Sequence, residues 1–178
     1  ELIAKAIKDY ERENLIIATK VFNNNLKFDD VLRSAEASLK RLEVDVIDLY
    51  YIHAYNADTP LKDTMRAFNR LVDNGLVRQV AVSNFEIKHL EEAQSHSDNK
   101  IVANQIEYSL LTRNVSKYGG GNMESEMVPY CQKNDIMIVA ERPVERGAVL
   151  EPNPLMKELS EKYNKTYGEL QRLQSDIR

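Results

Sequence analysis

The chain has one cysteine, Cys131, which excludes an internal disulfide. That fits a reducing, cytoplasmic setting. Cys131 sits in Pro129-Tyr130-Cys131-Gln132-Lys133-Asn134 with no histidine close in sequence to act as a base, so it reads as a buried structural thiol rather than a nucleophile. There is no basic block and no arginine stripe. The formal net charge is −4 with both signs interspersed, which argues against nucleic acid as a partner. No apolar run approaches the roughly eighteen residues that a membrane span needs, so no membrane association is expected. No signal peptide is recognisable, and the chain opens at Glu1 rather than at a methionine, as a processed or trimmed chain would. The three histidines have no metal-ligand spacing and no carboxylates cluster around them, so no metal is expected.

What is present is enough for one sizeable core: 178 residues, 43% of them hydrophobic. Leu2, Ile3, Ala6, Ile7 and Tyr10 keep helical spacing. Leu15 to Val21 reads as a strand covered on both faces. Asp29 or Asp30 can cap a helix with Val31, Ala35, Leu39 and Leu42 inward. Val46 to His53 is the second strand. Thr59-Pro60 opens a helix that buries Met65, Phe68 and Val72, and Asn74-Gly75 stops it. Val77 to Ser83 and Ile101 to Gln105 are strands three and four, flanking a helix from Glu86 to His96 that turns Ile87, Leu90 and Ala93 inward. Gly119-Gly120-Gly121 marks a loop, Met123 to Asn134 a helix, and Ile136 to Ala140 a fifth strand. Asn153-Pro154 starts a helix with Leu155, Leu159 and Tyr163 on one face, and Thr166 begins another.

Strand and helix therefore alternate, which implies a parallel sheet with right-handed crossovers. A doubly wound nucleotide-binding sheet would show a glycine-rich turn after its first strand. The first strand leads instead into Val21-Phe22-Asn23-Asn24-Asn25. Polar groups stand at the ends of successive strands, which is how a (β/α) barrel builds a site. Five strands cannot close an eight-stranded barrel, so the chain reads as most of one.

The strand-end groups are Lys20, His53, Ser83-Asn84 and Asn104-Gln105. A lysine there can lower a neighbouring hydroxyl's pKa or bind an anion; its bland alternative is a solvated charge. A neutral histidine can orient a carbonyl, or be satisfied within the fold. Serine, asparagine and glutamine offer neutral donors and acceptors to an amide, while Ser83-Asn84 can also simply cap a helix. His89 and His96 read as solvated. Asp45 and Asp48 suit structural roles at the beginning of the second strand.

Several segments together resemble the aldo-keto reductase family: Ile17-Ala18-Thr19-Lys20, Ser38-Leu39-Lys40-Arg41-Leu42, Ile47-Asp48-Leu49-Tyr50-Tyr51-Ile52-His53, Val82-Ser83-Asn84-Phe85, Asn104-Gln105-Ile106-Glu107-Tyr108 and Pro129-Tyr130-Cys131. The resemblance implies an α/β fold, the (β/α)8 TIM barrel, with residues 1–178 forming a single incomplete barrel domain that lacks the first two strands and the eighth. It implies an NADP(H)-dependent oxidoreductase that reduces a small-molecule aldehyde or ketone by hydride transfer. Lys20 matches the family's catalytic lysine and His53 its histidine. Ser83, Asn84 and Gln105 match the positions that hold the nicotinamide carboxamide.

Three departures accompany the resemblance. No segment matches the family's catalytic aspartate and tyrosine, so these residues alone are expected to be inactive. Glu141 stands where an aromatic usually stacks on the nicotinamide, and Arg142 where a small residue is common; together with Gly147 they are the cofactor-contacting positions after the fifth strand. Arg142 or Arg146 can instead approach the pyrophosphate, or be exposed. The tail from Arg172 to Arg178 resembles a much later stretch of the family, and without phosphate-selecting residues the choice of NADP over NAD rests on the family alone. The competing reading is a non-catalytic barrel acting as a nucleotide-binding or regulatory module. Oligomeric state stays open.

Overall fold

Alternating apolar strands and amphipathic helices build two compact units, Glu1–Val102 and Ala103–Arg178. The structure, a computed structural model, describes residues 1–109, 112–113, 122–151 and 153–170.

The first unit runs α1 (Leu2–Ile7), β1 (Ala18–Val21), α2 (Phe28–Leu42), β2 (Ile47–Ile52), α3 (Leu61–Asp73), β3 (Val77–Ser83) and α4 (Ile87–Ser95). The strands are parallel: Ala18 to Val21 pair with Leu49 to Ile52, and Ile47 to Ile52 pair with Val77 to Val82. β2 lies between two neighbours and every one of its residues is buried. Its Tyr50 ring stacks on Phe68 of α3 at 5.2 Å. α2 buries Val31, Ala35, Leu39 and Leu42, the stripe its spacing predicts. In α3, Met65 and Phe68 are buried as expected, but Leu71 completes the face in place of Val72. Asn74 caps α3, and Gly75 follows with φ +72°, a left-handed position that favours glycine.

Asp48 is the buried charge of β2. It accepts from Arg12 Nη2 at 2.6 Å and from the Ile17 backbone N–H at 2.8 Å, and Arg78 Nη1 lies 3.2 Å away. These contacts tie the start of β2 to the segment before β1, the structural role its place in the strand suggested.

The second unit contains β4 (Ile101–Glu107, which crosses from the first unit), a π-helical turn over Met123–Met127 that runs into α5 (Val128–Lys133), β5 (Met137–Glu141) and α6 (Pro154–Tyr163). β4 and β5 pair in parallel from Ala103↔Met137 to Glu107↔Glu141. Met123, Met127, Val128 and Cys131 fill the core beside them. Asn153 caps α6 by accepting from the Leu155 and Met156 amides. Thr166 and Glu169 form a reciprocal pair: Glu169 Oε2 accepts from the Thr166 amide at 2.8 Å, and Thr166 Oγ1 accepts from the Glu169 amide at 3.3 Å. That is a capping box, so a helical turn does start at Thr166.

The structure departs from the sequence reading at the periphery. β1 is shorter than Leu15–Val21 and is not covered on both faces; Ile16 is 85% exposed and, among the described residues, β1 pairs only with β2. α1 buries only Ala4, with Leu2, Ile3 and Tyr10 exposed. Lys27 and Pro60, rather than Asp29/Asp30 and Thr59, take the caps of α2 and α3. β4 continues two residues past Gln105, so Asn104 and Gln105 lie inside the strand and Glu107 ends it. α6 turns Met156 inward and leaves Leu155 and Tyr163 exposed. The Gly119-Gly120-Gly121 loop and the tail from Arg172 lie outside the described residues.

Candidate active site

Parallel pairing puts the C-terminal ends of β1, β2 and β3 on one edge of the sheet. Lys20, His53 and Ser83 therefore share that edge. Lys20 is opposite Tyr51 in register, and its Nζ lies 5.3 Å over the Tyr51 ring. That distance is within reach of a cation–π contact. Burial pushes the Tyr51 hydroxyl above its ordinary value, so the ring stays neutral beneath the ammonium. Lys20 also borders an open groove of about 410 Å3 with Phe22, Arg33, Ser38 and Arg41.

His53 follows β2 directly. Its backbone N–H donates to the Val21 carbonyl at 3.1 Å, which holds the loop onto the end of β1. The imidazole itself is exposed and touches the Phe22 ring edge-on at 5.7 Å. It is thus free to meet a ligand. Ser83 is fully buried, and its Oγ accepts from Asn84 Nδ2 at 3.2 Å. Asn84 has φ +56°, the left-handed conformation that asparagine tolerates, and this turns the chain sharply after β3.

In the second unit Gln105 is half-buried on β4, and its side-chain amide has no protein partner among the described residues. Glu107, one alternation further on, is 4% exposed. Arg142 Nη1 sits 2.9 Å from Glu107 Oε1, and Nη2 lies 3.7 Å from Glu141 Oε1. The residues after β5 then adopt left-handed backbone at Arg142, Glu145, Arg146 and Gly147. Three of those four carry a side chain, so the turn is strained, as turns at functional sites often are. Ser109 Oγ donates to Glu145 and adds a tie between the two strand ends.

The sequence reading missed two features. Glu107 lies beyond the strand end at Gln105 that the sequence pattern predicts, although the alternation Ala103, Gln105, Glu107 carries it to the same face. His89 is not simply solvated. It stacks on Tyr55 at 3.7 Å between ring centroids and is half-buried, whereas His96 is exposed. No cluster of metal-ligating residues exists among the described residues.

The sequence profile of the aldo/keto reductase family matches residues 1–175. This chain belongs to the aldo/keto reductase family. The glyoxal reductase of Bacillus subtilis (strain 168) is 34% identical over 160 residues, covering 89% of this chain and 53% of the relative. The NADH-specific methylglyoxal reductase of Escherichia coli (strain K12) is 28% identical over 167 residues, covering 82% of this chain and 48% of the relative. A solved thermostable aldo-keto reductase, in complex with the inhibitor epalrestat, is 38% identical with a TM-score of 0.81, covering 93% of this chain and 58% of that one. The chain spans about half the length of the curated relatives it matches. Its parallel strands and helices are accordingly part of a (β/α)8 TIM barrel, the fold its sequence pattern implied.

Proposed function

We propose that the complete protein is an NADP(H)-dependent reductase of small aldehydes or ketones, working in the cytoplasm, and that residues 1–178 belong to its single barrel domain. The observation that carries this reading is the placement of Lys20, His53 and Ser83 at the C-terminal ends of three consecutive, paired parallel strands. A reduced nicotinamide, when bound, supplies the hydride. By the family resemblance Ser83 and Asn84 in the first unit and Gln105 in the second match the positions that would hold its carboxamide, and among the described residues the Gln105 side chain has no protein partner. A neutral amide needs such groups to replace its bonds to water.

In this reading His53 donates to the carbonyl oxygen and orients it. Lys20 would place a positive charge beside the family's tyrosine hydroxyl, which no segment of residues 1–178 matches, and lower its pKa so that its proton could pass to the alkoxide formed by hydride transfer. Glu141, Arg142 and Gly147 border the cofactor after β5. Relatives that reduce glyoxal and methylglyoxal support small, electron-poor carbonyls as the substrate class. The test is turnover of methylglyoxal and of a nitrobenzaldehyde with NADPH by the full-length protein. Lys20→Met should remove most of it and leave the fold intact; equal kcat in variant and parent rejects the role.

A second reading has one observation in its favour. The charged Glu107–Arg142–Glu141 arrangement occupies the end of β5 where the family usually has a stacking aromatic. It favours a barrel that binds nucleotide without turnover. Tight NADPH binding by the full-length protein with no reduction of any carbonyl would select it.

A further inference from the structure

The loop that carries His53, residues 53–60, is held on two sides. On one, Asn56 Nδ2 donates to the Asn23 carbonyl at 2.9 Å, and Asp58 N–H donates to Asn56 Oδ1 at 2.9 Å in a local turn. On the other, the Tyr55 ring lies flat on His89 of α4, with centroids 3.7 Å apart and planes 10° from parallel. Phe85, fully buried, closes edge-on against both rings at 6.2 Å. Among the described residues the His53 imidazole has no such support, only the edge of Phe22 beside it. Where His53 sits is therefore decided by its loop, and the loop's hold on α4 is the Tyr55–His89 stack.

His89 Nδ1 is enclosed and, among the described residues, has no hydrogen-bond partner. A neutral ring with that nitrogen bare is tolerated there. A protonated ring would bury an N–H donor with no acceptor. The titratable groups around it are Glu86, Lys88 and Glu92 from α4 and its cap, and Tyr55 from the facing loop; Phe85 contributes none. Lys88 and Glu86 pair with each other at 2.9 Å, which largely offsets their charges. Burial then dominates and holds the imidazole below its ordinary value, against the opposing pull of Glu86 and Glu92.

We propose that His89 is a positioning residue for carbonyl reduction: in its neutral form it stacks on Tyr55 and fixes the loop that presents His53. The role rests on the reductase reading given above. Protonation of His89 loosens the stack and lets His53 drift, without touching the cofactor-holding residues Ser83 and Asn84 directly.

The experiment uses full-length protein with three measurements. In steady-state kinetics with methylglyoxal, His89→Ala should lower kcat/KM for the carbonyl by about tenfold, the scale of a modest misplacement of a reacting group. The Kd for NADPH should not change. His89→Phe, which keeps a flat ring but cannot take a proton, should return kcat/KM to within about twofold of the parent. By NMR, the Tyr55 ring resonances should move with pH in step with the His89 imidazole, at a midpoint below that of a free imidazole. A normal kcat/KM in His89→Ala, equal damage in His89→Phe, or Tyr55 resonances indifferent to the His89 titration would each overturn the role. If the parent turns over no carbonyl at all, the reductase reading falls and the positioning role falls with it. If the parent is active and only the variants fail to respond, this inference alone is lost.

Discussion

Arg142 reaches back from the turn after β5 and places its guanidinium between Glu107 and Glu141, 2.9 Å from the first and 3.7 Å from the second. Those two carboxylates are direct register partners on adjacent strands. Like charges opposite one another destabilise a sheet, and the arginine between them offsets that repulsion.

Arg142→Ser should therefore be far more costly than a surface change. The Glu107 side chain is 5% exposed and loses the cation beside it. Removing one partner of a buried pair costs about 3 kcal/mol at the lower end of the usual range. Urea denaturation should show this loss, and adding Glu107→Gln should restore much of it. A single variant as stable as the parent would mean that the pair contributes nothing.

Asp48→Asn tests the other buried charge. It keeps the shape but removes the charge that Arg12 and Arg78 both approach, at 2.6 and 3.2 Å. Hydrogen bonds to charged groups are worth about 1.5–3 kcal/mol, and a loss of that size should appear in the thermal midpoint. Asp48 is a structural carboxylate, so kcat should not change at temperatures where the variant is folded.

The strands were legible because β2, β3 and β4 carry β-branched and aromatic runs bounded by turn residues, and such runs have few other readings. The α2 stripe and the Asn74-Gly75 stop were legible for the same reason: period and cap agree. Lys20, His53 and Ser83 stand at strand ends, where a barrel puts its chemistry, whereas Gln105 lies inside β4 because the strand runs on to Glu107. The misses have a common cause. Period says which residues share a face, but not which face meets the core, so α1 and α6 kept their apolar residues exposed. The Tyr55–His89 stack was illegible because it joins a loop to a helix thirty-odd positions apart, and no local pattern encodes such a contact.

Cys131 should be inert. It is fully buried, its Sγ lies 3.6 Å from Met127 Sδ, and burial pushes the thiol up to about 11. At pH 8 a thiolate-directed reagent should label it only as fast as the core opens, and at the denatured rate in urea. The sign of the pH effect follows from a raised folded pKa. The stabilisation is fully present below about 9, the ordinary thiol value, and is lost as pH rises towards about 11. Cys131→Ala should flatten that alkaline decline. Rapid labelling of the native protein would place the thiol at an accessible site instead.

The cofactor wall gives the last prediction, and two opposite substitutions make it decisive. Gln105 on β4 has an amide with no protein partner among the described residues, and Glu141 closes β5 beside Arg142. If Gln105 holds the nicotinamide carboxamide, Gln105→Ala leaves an amide in a partly buried site without its replacement bonds, at a cost of about 1–3 kcal/mol. The Kd for NADPH should rise by one to two powers of ten, to order of magnitude. Glu141→Tyr acts in the other sense. It removes a charge from the place where the ring would stack and supplies an aromatic face, worth about 0.5–1.5 kcal/mol beyond the area it covers. The Kd should fall, and Arg142 keeps Glu107 as a partner, so the fold should survive. Fluorescence titration of the full-length protein reads both. Movement in opposite directions supports the carboxamide at β4 and the ring at β5. Unchanged affinity in both variants would put the nicotinamide elsewhere and undo the assignment of Gln105 and Glu141 together.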